Sequence, residues 1–185
     1  MATRKKNLDI TSRKSIQEMI NYLERYKKSL PDRCKKFGEE LAQVGIRVAA
    51  LSTLGNGLGN YVVFAKEVKS FSNSECTTIM YGRDIRTVFG DGVDAAEISP
   101  ILMLEYGSGP KGAPPQSIID GHLYVGQGSF PGQTHAFDPN GWYYMSTKDN
   151  KWHHSFGVTP TYPMQKAFDT MQKQVDKIAR KVFKL

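Results

Sequence analysis

No run of this sequence approaches the roughly 18–20 apolar residues that a membrane-crossing helix needs. The basic start Met1-Ala-Thr-Arg-Lys-Lys leads into no apolar core of a secretory signal. Neither a membrane partner nor export is therefore expected. Cysteine is scarce: Cys34 and Cys76 stand alone, without C-x-x-C or any other ligand spacing. Two reduced thiols in a cytoplasmically made protein are the expected state, although the pair alone does not forbid a disulfide.

The patterns of catalysis are missing too. The four histidines, His122, His135, His153 and His154, form no H-x-x-x-H or H-E-x-x-H. Adjacent histidines on a strand point to opposite faces, so His153 and His154 are not expected to share a metal. No G-x-S-x-G elbow is present, and Cys34 falls on an apolar helix stripe, where it acts as a small hydrophobe. Asp91 and Asp94 lie in a Gly-rich turn and Asp138 precedes a proline, positions where aspartate serves turn geometry. Glu105 differs, sitting between an apolar run and Gly107 where burial is plausible, but no catalytic partner can be named for it. No catalytic, metal or cofactor site is expected, and the chain does not read as an enzyme. Gly55-Asn-Gly-Leu-Gly59 follows a helix and precedes a strand, the reverse of a phosphate-cradling loop, and reads as a turn.

Positive charge is what the chain has in excess. Of a net +7, residues 1–36 carry 11 basic and 4 acidic side chains and residues 163–185 carry 6 and 2, whereas residues 37–162 carry 8 and 12. The charge therefore belongs to the ends, where it could meet nucleic acid or an acidic protein surface, or simply solvate helices. With 185 residues, 39% of them hydrophobic, a single domain spanning 1–185 is expected.

The periodicity predicts an α+β fold. Residues 1–11 read as a flexible arm. Ser15-Ile-Gln-Glu18 fits a capping box, and Ile16, Ile20 and Leu23 follow at helical steps. This helix is expected to end near Lys28, with Ser29-Leu-Pro-Asp32 capping a second. In the second, Cys34, Phe37, Leu41, Val44, Val48 and Leu51 form a stripe that should be buried. Beside it run Gly38, Ala42, Gly45 and Ala49; two glycines one heptad apart, each costing about 1 kcal/mol in a helix, suggest a close backbone neighbour. That neighbour could be a strand of the same chain or a helix of another subunit.

The runs Tyr61-Val-Val-Phe-Ala-Lys-Glu-Val, Cys76-Thr-Thr-Ile-Met-Tyr and Ile85-Arg-Thr-Val-Phe predict a small antiparallel sheet. The apolar stretch 95–107 fits a helical turn followed by a strand without deciding it. Residues 107–141 hold 8 glycines and 5 prolines and read as an extended loop with aromatic and aliphatic anchors. Gly141-Trp-Tyr-Tyr and Lys151-Trp-His-His form a hairpin-like pair whose Trp142, Tyr144 and Trp152 suit protein contacts. From Pro163 the positions Met164, Phe168, Met171, Val175, Ile178, Val182 and Leu185 predict a helix with a basic opposite face. N-terminal helices and a C-terminal helix would thus pack on the sheet.

Two stretches resemble a known family. Leu102-Met-Leu-Glu-Tyr-Gly-Ser-Gly109 is similar to a short apolar–Glu–aromatic–Gly–small–Gly signature of phage tail components. Thr159-Pro-Thr-Tyr-Pro-Met-Gln-Lys-Ala-Phe-Asp169 is similar to the C-terminal block of the same family, and Gly141-Trp-Tyr-Tyr precedes it as expected. The family comprises neck or tail-completion proteins of long-tailed bacteriophages, with minor tail protein Z of phage lambda considered a relative. The resemblance implies a virion protein, assembled in the host cytoplasm, that forms a ring with copies of itself, expected as a hexamer, at the head–tail junction. Its partners there would be head–tail connector, tail terminator or tail tube proteins, with genome DNA passing through the lumen.

The family blocks map onto Glu105, Tyr106, Gly107 and Gly109 and onto Pro160, Tyr162, Pro163, Met164 and Phe168, with a structural role implied. The stretch 82–99 departs from the shorter family pattern. A reading from another class is a nucleic-acid-binding protein that uses its basic N- and C-terminal helices. Under the ring reading, deleting 110–137 is expected to abolish assembly and leave a folded monomer. Size-exclusion chromatography with light scattering checks this, and a shortened chain that still forms rings would count against it.

Overall fold

The computed structural model describes residues 12–70, 75–86, 88–89, 96–97, 99–112, 140–145 and 149–184. The expectations for the arm 1–11 and for most of the loop 107–141 lie outside the described residues. The fold is α+β: helix α1 (Arg13–Ser52), a 3₁₀ turn (Gly57–Tyr61), strands β1 (Val62–Ser70), β2 (Cys76–Asp84), β3 (Val88–Phe89) and β4 (Ala96–Glu97), helix α2 (Pro100–Tyr106), strands β5 (Trp142–Met145) and β6 (Trp152–Ser155), and helix α3 (Pro163–Val182). Among the described residues the strands form three separate pairs, β1–β2, β3–β4 and β5–β6, rather than one sheet. Five residues join β1 to β2, too few for a parallel crossover.

The chain divides into two compact units. The first comprises Met1–Gln43, Lys66–Ile79 and Met171–Leu185; the second comprises Val44–Ala65 and Met80–Thr170.

The largest departure from the sequence reading is at the N-terminus. The two expected helices are one, 40 residues long, with Pro31 inside it. An interior proline deletes a backbone hydrogen bond and costs about 3 kcal/mol. The apolar phase nevertheless runs on through it. Ile16, Ile20, Leu23, Leu30, Cys34, Phe37, Leu41, Val44, Val48 and Leu51 keep one alternation of four and three across the proline, with Lys27 the single polar member. A break at Pro31 would have put the two apolar stripes out of register.

Locally, Ser29 Oγ donates to the Tyr26 carbonyl at 2.7 Å and accepts from Arg33 Nε at 3.0 Å. The N-cap is also displaced: the Ser15–Glu18 box does not begin the helix. Ser12 does, its Oγ accepting from Ser15 N at 3.3 Å and its carbonyl from Ile16 N at 3.0 Å.

In the first unit, the C-terminal end of α3 lies against α1. Phe37 and Phe183 pack with ring centroids 5.7 Å apart, and Lys181 Nζ meets Glu40 Oε2 at 2.8 Å. Arg33 Nη1 donates to the carbonyls of Val182 and Lys184 at 3.1 and 2.9 Å, serving carbonyls that the helix end leaves without an internal partner. The close neighbour expected at the glycine stripe is a strand of the same chain: at Gly38 a β-carbon would collide with Thr78 Oγ1 and come within 2.9 Å of Thr78 Cβ. Lys66 Nζ of β1 reaches the Glu39 carbonyl at 3.2 Å.

Depth is the reverse of what the stripes suggested. The small residues Ala42, Gly45 and Ala49 are buried, the large seam residues around them are half-exposed, and Leu51 is exposed. Small side chains let a neighbour come close enough to exclude water. Large ones project past the contact.

Gly38→Ala tests this approach. In an isolated helix the change stabilises by about 1 kcal/mol; here the collision with Thr78 reverses the sign, and a lower melting temperature by circular dichroism is expected. A variant as stable as the parent or more so would show that the strand does not hold Gly38.

Candidate functional site

The described residues bring the two motif blocks together, in the second unit. Helix α3 opens on Pro163, which has no N–H to satisfy, and is preceded by Tyr162, whose side chain cannot accept from the first turn. The next two amides are served by a residue far away in sequence. Glu105 Oε2 accepts from Met164 N at 2.8 Å and Glu105 Oε1 accepts from Gln165 N at 3.0 Å. Lys166 N then donates to the Tyr162 carbonyl at 3.0 Å, the first bond of the helix itself. Every donor of the first turn is accounted for. The carboxylate, only 9% exposed, sits at the positive end of the helix, where negative charge is favoured.

The same device starts α2, which supplies Glu105. Its first residue is Pro100, and Ser99 at the N-cap makes no side-chain bond to the turn. Asp84, the last residue of β2, accepts from Ile101 N at 2.7 Å through Oδ1 and from Ser99 Oγ through Oδ2. A carboxylate at the end of β2 thus begins α2, and a carboxylate near the end of α2 begins α3. The sequence reading left 95–107 open between a helical turn followed by a strand and other orders. The order is a two-residue strand, then a helix.

Backbone contacts close the joint. The Leu104 carbonyl accepts from Thr161 N at 2.8 Å and Tyr162 N at 3.1 Å; Ser108 N donates to the Val158 carbonyl at 2.9 Å. Ser108 Oγ accepts from Val158 N at 2.8 Å. Leu104 and Ser108 are fully buried. Gly107 is at φ +74 and its missing side chain leaves room for Pro160 Cδ and the Val158 carbonyl, both 2.8 Å from where a β-carbon would stand. Gly109 is also left-handed at φ +58, and Gly157 passes over the Ser108 carbonyl too closely for any side chain. Tyr162 holds φ +53, a conformation costing a non-glycine residue about 1 kcal/mol or more.

Of the residues expected to matter, Glu105, Gly107, Pro160, Tyr162, Pro163 and Met164 meet here. Pro163 is fully buried, while Tyr162 presents its ring outward at 46% exposed. Tyr106 is half-buried, Gly109 is buried, and Phe168 stands outside the joint at 52% exposed. Trp142 and Tyr144 pair through their backbones with Ser155 and His153 in the antiparallel β5–β6 hairpin; their side chains lie outside the described residues.

Sequence reasoning missed Asp84, Leu104, Ser108, Gly157 and Val158. Leu104 and Ser108 lay inside the first motif block without being singled out, and Gly157 is a lone glycine shortly before the second. Asp84 acts through a carboxylate that nothing nearby in sequence marks, and Val158 acts through its backbone.

The histidines make separate contacts. His153 Nε2 meets Asp149 Oδ2 at 2.9 Å, on the surface. His154 Nε2 lies 2.9 Å from the Asn140 carbonyl, with its ring 4.4 Å from both Tyr143 and Phe156. His122 and His135 lie outside the described residues. Cys34 and Cys76 are free thiols. Among the described residues no three His, Cys, Asp or Glu side chains gather as a metal site would require, and no helix is long and apolar enough to cross a membrane. No family model, curated protein or solved structure matches the chain. What the joint does must be argued from its own chemistry. It holds a carboxylate in a helix cap and offers it to backbone amides, an arrangement that fixes geometry.

Glu105→Ala should uncover two buried amides and destabilise the chain by about 3 kcal/mol. Glu105→Gln keeps one acceptor but sets its NH₂ against the second amide, and should lose more than half as much. Chemical denaturation of the three proteins measures both values; an alanine variant within about 0.5 kcal/mol of the parent, the scatter of ordinary surface substitutions, would refute the cap.

Proposed function

We propose that this chain is a structural building block of a long-tailed bacteriophage, a neck or tail-completion component that joins copies of itself into a ring at the head–tail junction. The observation that carries the reading is the uncovered seam of α1. Ile16, Ile20 and Leu23 share one stripe and are 40%, 43% and 53% exposed. The helix extends this far without burying the face that periodicity marks as apolar, and helices gain most of their stability from burying such a face.

A second apolar surface lies on the β5–β6 hairpin and the residue after it, where Tyr143, Trp152 and Phe156 are 45%, 49% and 63% exposed. A ring of one protomer type needs two different patches, one to meet the other on the neighbour. Exposed aromatics and a helix seam supply that kind of pair. Covering what remains exposed of the three α1 residues is worth about 1 kcal/mol each, a modest gain per contact that suits assembly driven by ring closure.

The interlocked motif blocks support the same reading. The residues by which the chain resembles the phage family form a rigid internal joint, as expected where a protomer must keep its shape under load. The head–tail connector, tail terminator and tail tube proteins are the neighbours this reading implies, with genome DNA in the lumen and the virion as the location.

Light scattering of the purified chain should give a mass several times that of the protomer, with six the expected multiple. Ile20→Glu with Leu23→Glu, and separately Trp152→Ala, should return it to the protomer with an unchanged circular dichroism spectrum, because these side chains are exposed already. Cryo-electron microscopy of the assembly would display the ring. A parent chain that stays monomeric at high concentration, or variants that assemble as before, would overturn the proposal.

A further inference from the structure

The first unit has a property that self-assembly does not explain. It contains 18 basic and 9 acidic side chains, whereas the second unit contains 7 and 9. The net positive charge of the protein therefore belongs to one unit. Within that unit the N-terminal half of α1 carries a shallow cavity of about 340 Å³ lined by Tyr22, Arg25, Tyr26, Ser29 and Arg33. These residues recur at helical steps on a stripe beside the apolar seam.

Their chemistry is specific. Arg33 lies 4.8 Å from the centre of the Tyr26 ring, and its Nε and Nη1 are engaged by Ser29 and by the carbonyls ending α3. The guanidinium is therefore held in place as a fixed charge. Arg25 is exposed and anchored at one end only, its Nε donating to the Asn21 carbonyl at 3.2 Å. Tyr22 stands one helical turn before Tyr26, and both line the cavity half-buried. Lys36, one heptad beyond Ser29, extends the positive line, while Glu18 and Asp32 occupy the positions one heptad before and after Arg25 and limit it.

We propose that this stripe of α1 binds a single-stranded polynucleotide, with phosphates on Arg25, Arg33 and Lys36 and an unpaired base against Tyr22, beside the Tyr26 ring that Arg33 covers. Charge alone would suit any polyanion, an acidic protein surface included. The cavity's tyrosines decide for nucleic acid, because an aromatic side chain beside guanidinium groups is the arrangement on which bases stack, and they decide for single strands, because paired bases hide their faces. Contact with about three phosphates sets the expected salt dependence: affinity should fall with a log–log slope of about −2. This inference stands apart from the ring proposal, since it uses the stripe beside the seam and not the seam.

The test is fluorescence anisotropy of the full chain with a labelled oligo-dT of about 12 nucleotides, a length within the range of known single-strand sites, from about 50 to about 200 mM salt. Arg25→Gln should weaken binding about tenfold and flatten the slope by about 0.7, and Tyr22→Ala should weaken it about tenfold through lost stacking. Arg47→Gln, an exposed arginine on the same helix but in the other unit, should change neither. All three should keep the parent's helical spectrum and assembled mass.

Overturning results are equally definite. They are no binding at the lowest salt, equal affinity for a duplex of the same length, equal competition by polyglutamate, which would point to an acidic protein partner, or a loss in Arg47→Gln as large as in Arg25→Gln. Should Tyr22→Ala or Arg25→Gln fail to fold, Tyr22→Phe and Arg25→Lys replace them. Binding within threefold of the parent for Tyr22→Phe supports stacking, and an unchanged salt slope for Arg25→Lys supports a phosphate contact. A collapse in either of these conservative variants refutes its role.

Discussion

Helix starts are where this fold is most exposed to failure, and buried carboxylates are what secure them. A helix leaves its first amides without internal partners, and a proline in the first position removes one of them but provides nothing for the rest. Both α2 and α3 open this way, and neither has a neighbouring side chain that caps it. Asp84 and Glu105 do so from a distance, so the end of β2 positions α2 and α2 positions α3. The second unit is therefore built in part as a relay, in which α2 and then α3 are each placed by a carboxylate on the element before. The tight glycines around it follow from the same requirement, because the Glu105 carboxylate reaches the amides only if the backbone at Gly107 and Gly157 can pass this close.

The first unit is held by different means. Long helix α1 receives β2 at its glycine face and the end of α3 near Arg33, contacts of close approach and of carbonyl capping alongside the packing of Phe37 on Phe183. The apolar seam that periodicity draws along the helix is only partly used by the chain's own residues, and at Ile16, Ile20 and Leu23 it is left facing solvent. A single protomer thus spends its small residues on folding and keeps a row of large ones uncommitted. That division suits a component whose finished state includes neighbours. The aromatic and cationic stripe beside the seam adds a distinct chemistry to the same length of helix, so one element would serve both a protein neighbour and a polyanion.

Reading along the chain, periodicity succeeded where the interaction is local. The last helix begins at Pro163 as expected, because a proline, a run of fours and threes and a basic face are all written within its own 20 residues. The paired strands 62–70 and 76–84 follow from β-branched runs and a short connection. Pro31 misled for an instructive reason. Proline's local cost points to a break, but the alternation of four and three runs on from Leu23 through Leu30 to Cys34, and the helix continues across it on one face. The Ser15–Glu18 box failed similarly, since Ser12 offers an equivalent hydroxyl three residues earlier.

The amino-acid order alone determined the last helix, the strands 62–70 and 76–84 and the concentration of positive charge at the ends, because each depends on neighbours a few residues away. It did not determine that Glu105 and Pro163 belong to one joint, that Asp84 is its counterpart, or that Gly38 faces Thr78. Those depend on groups 17 to 60 residues apart meeting at hydrogen-bond or van der Waals distance. Nothing in a one-dimensional pattern encodes which distant carboxylate a bare helix start will find. Folding settles that choice, because only the packed chain makes an unsatisfied amide costly enough to select its partner.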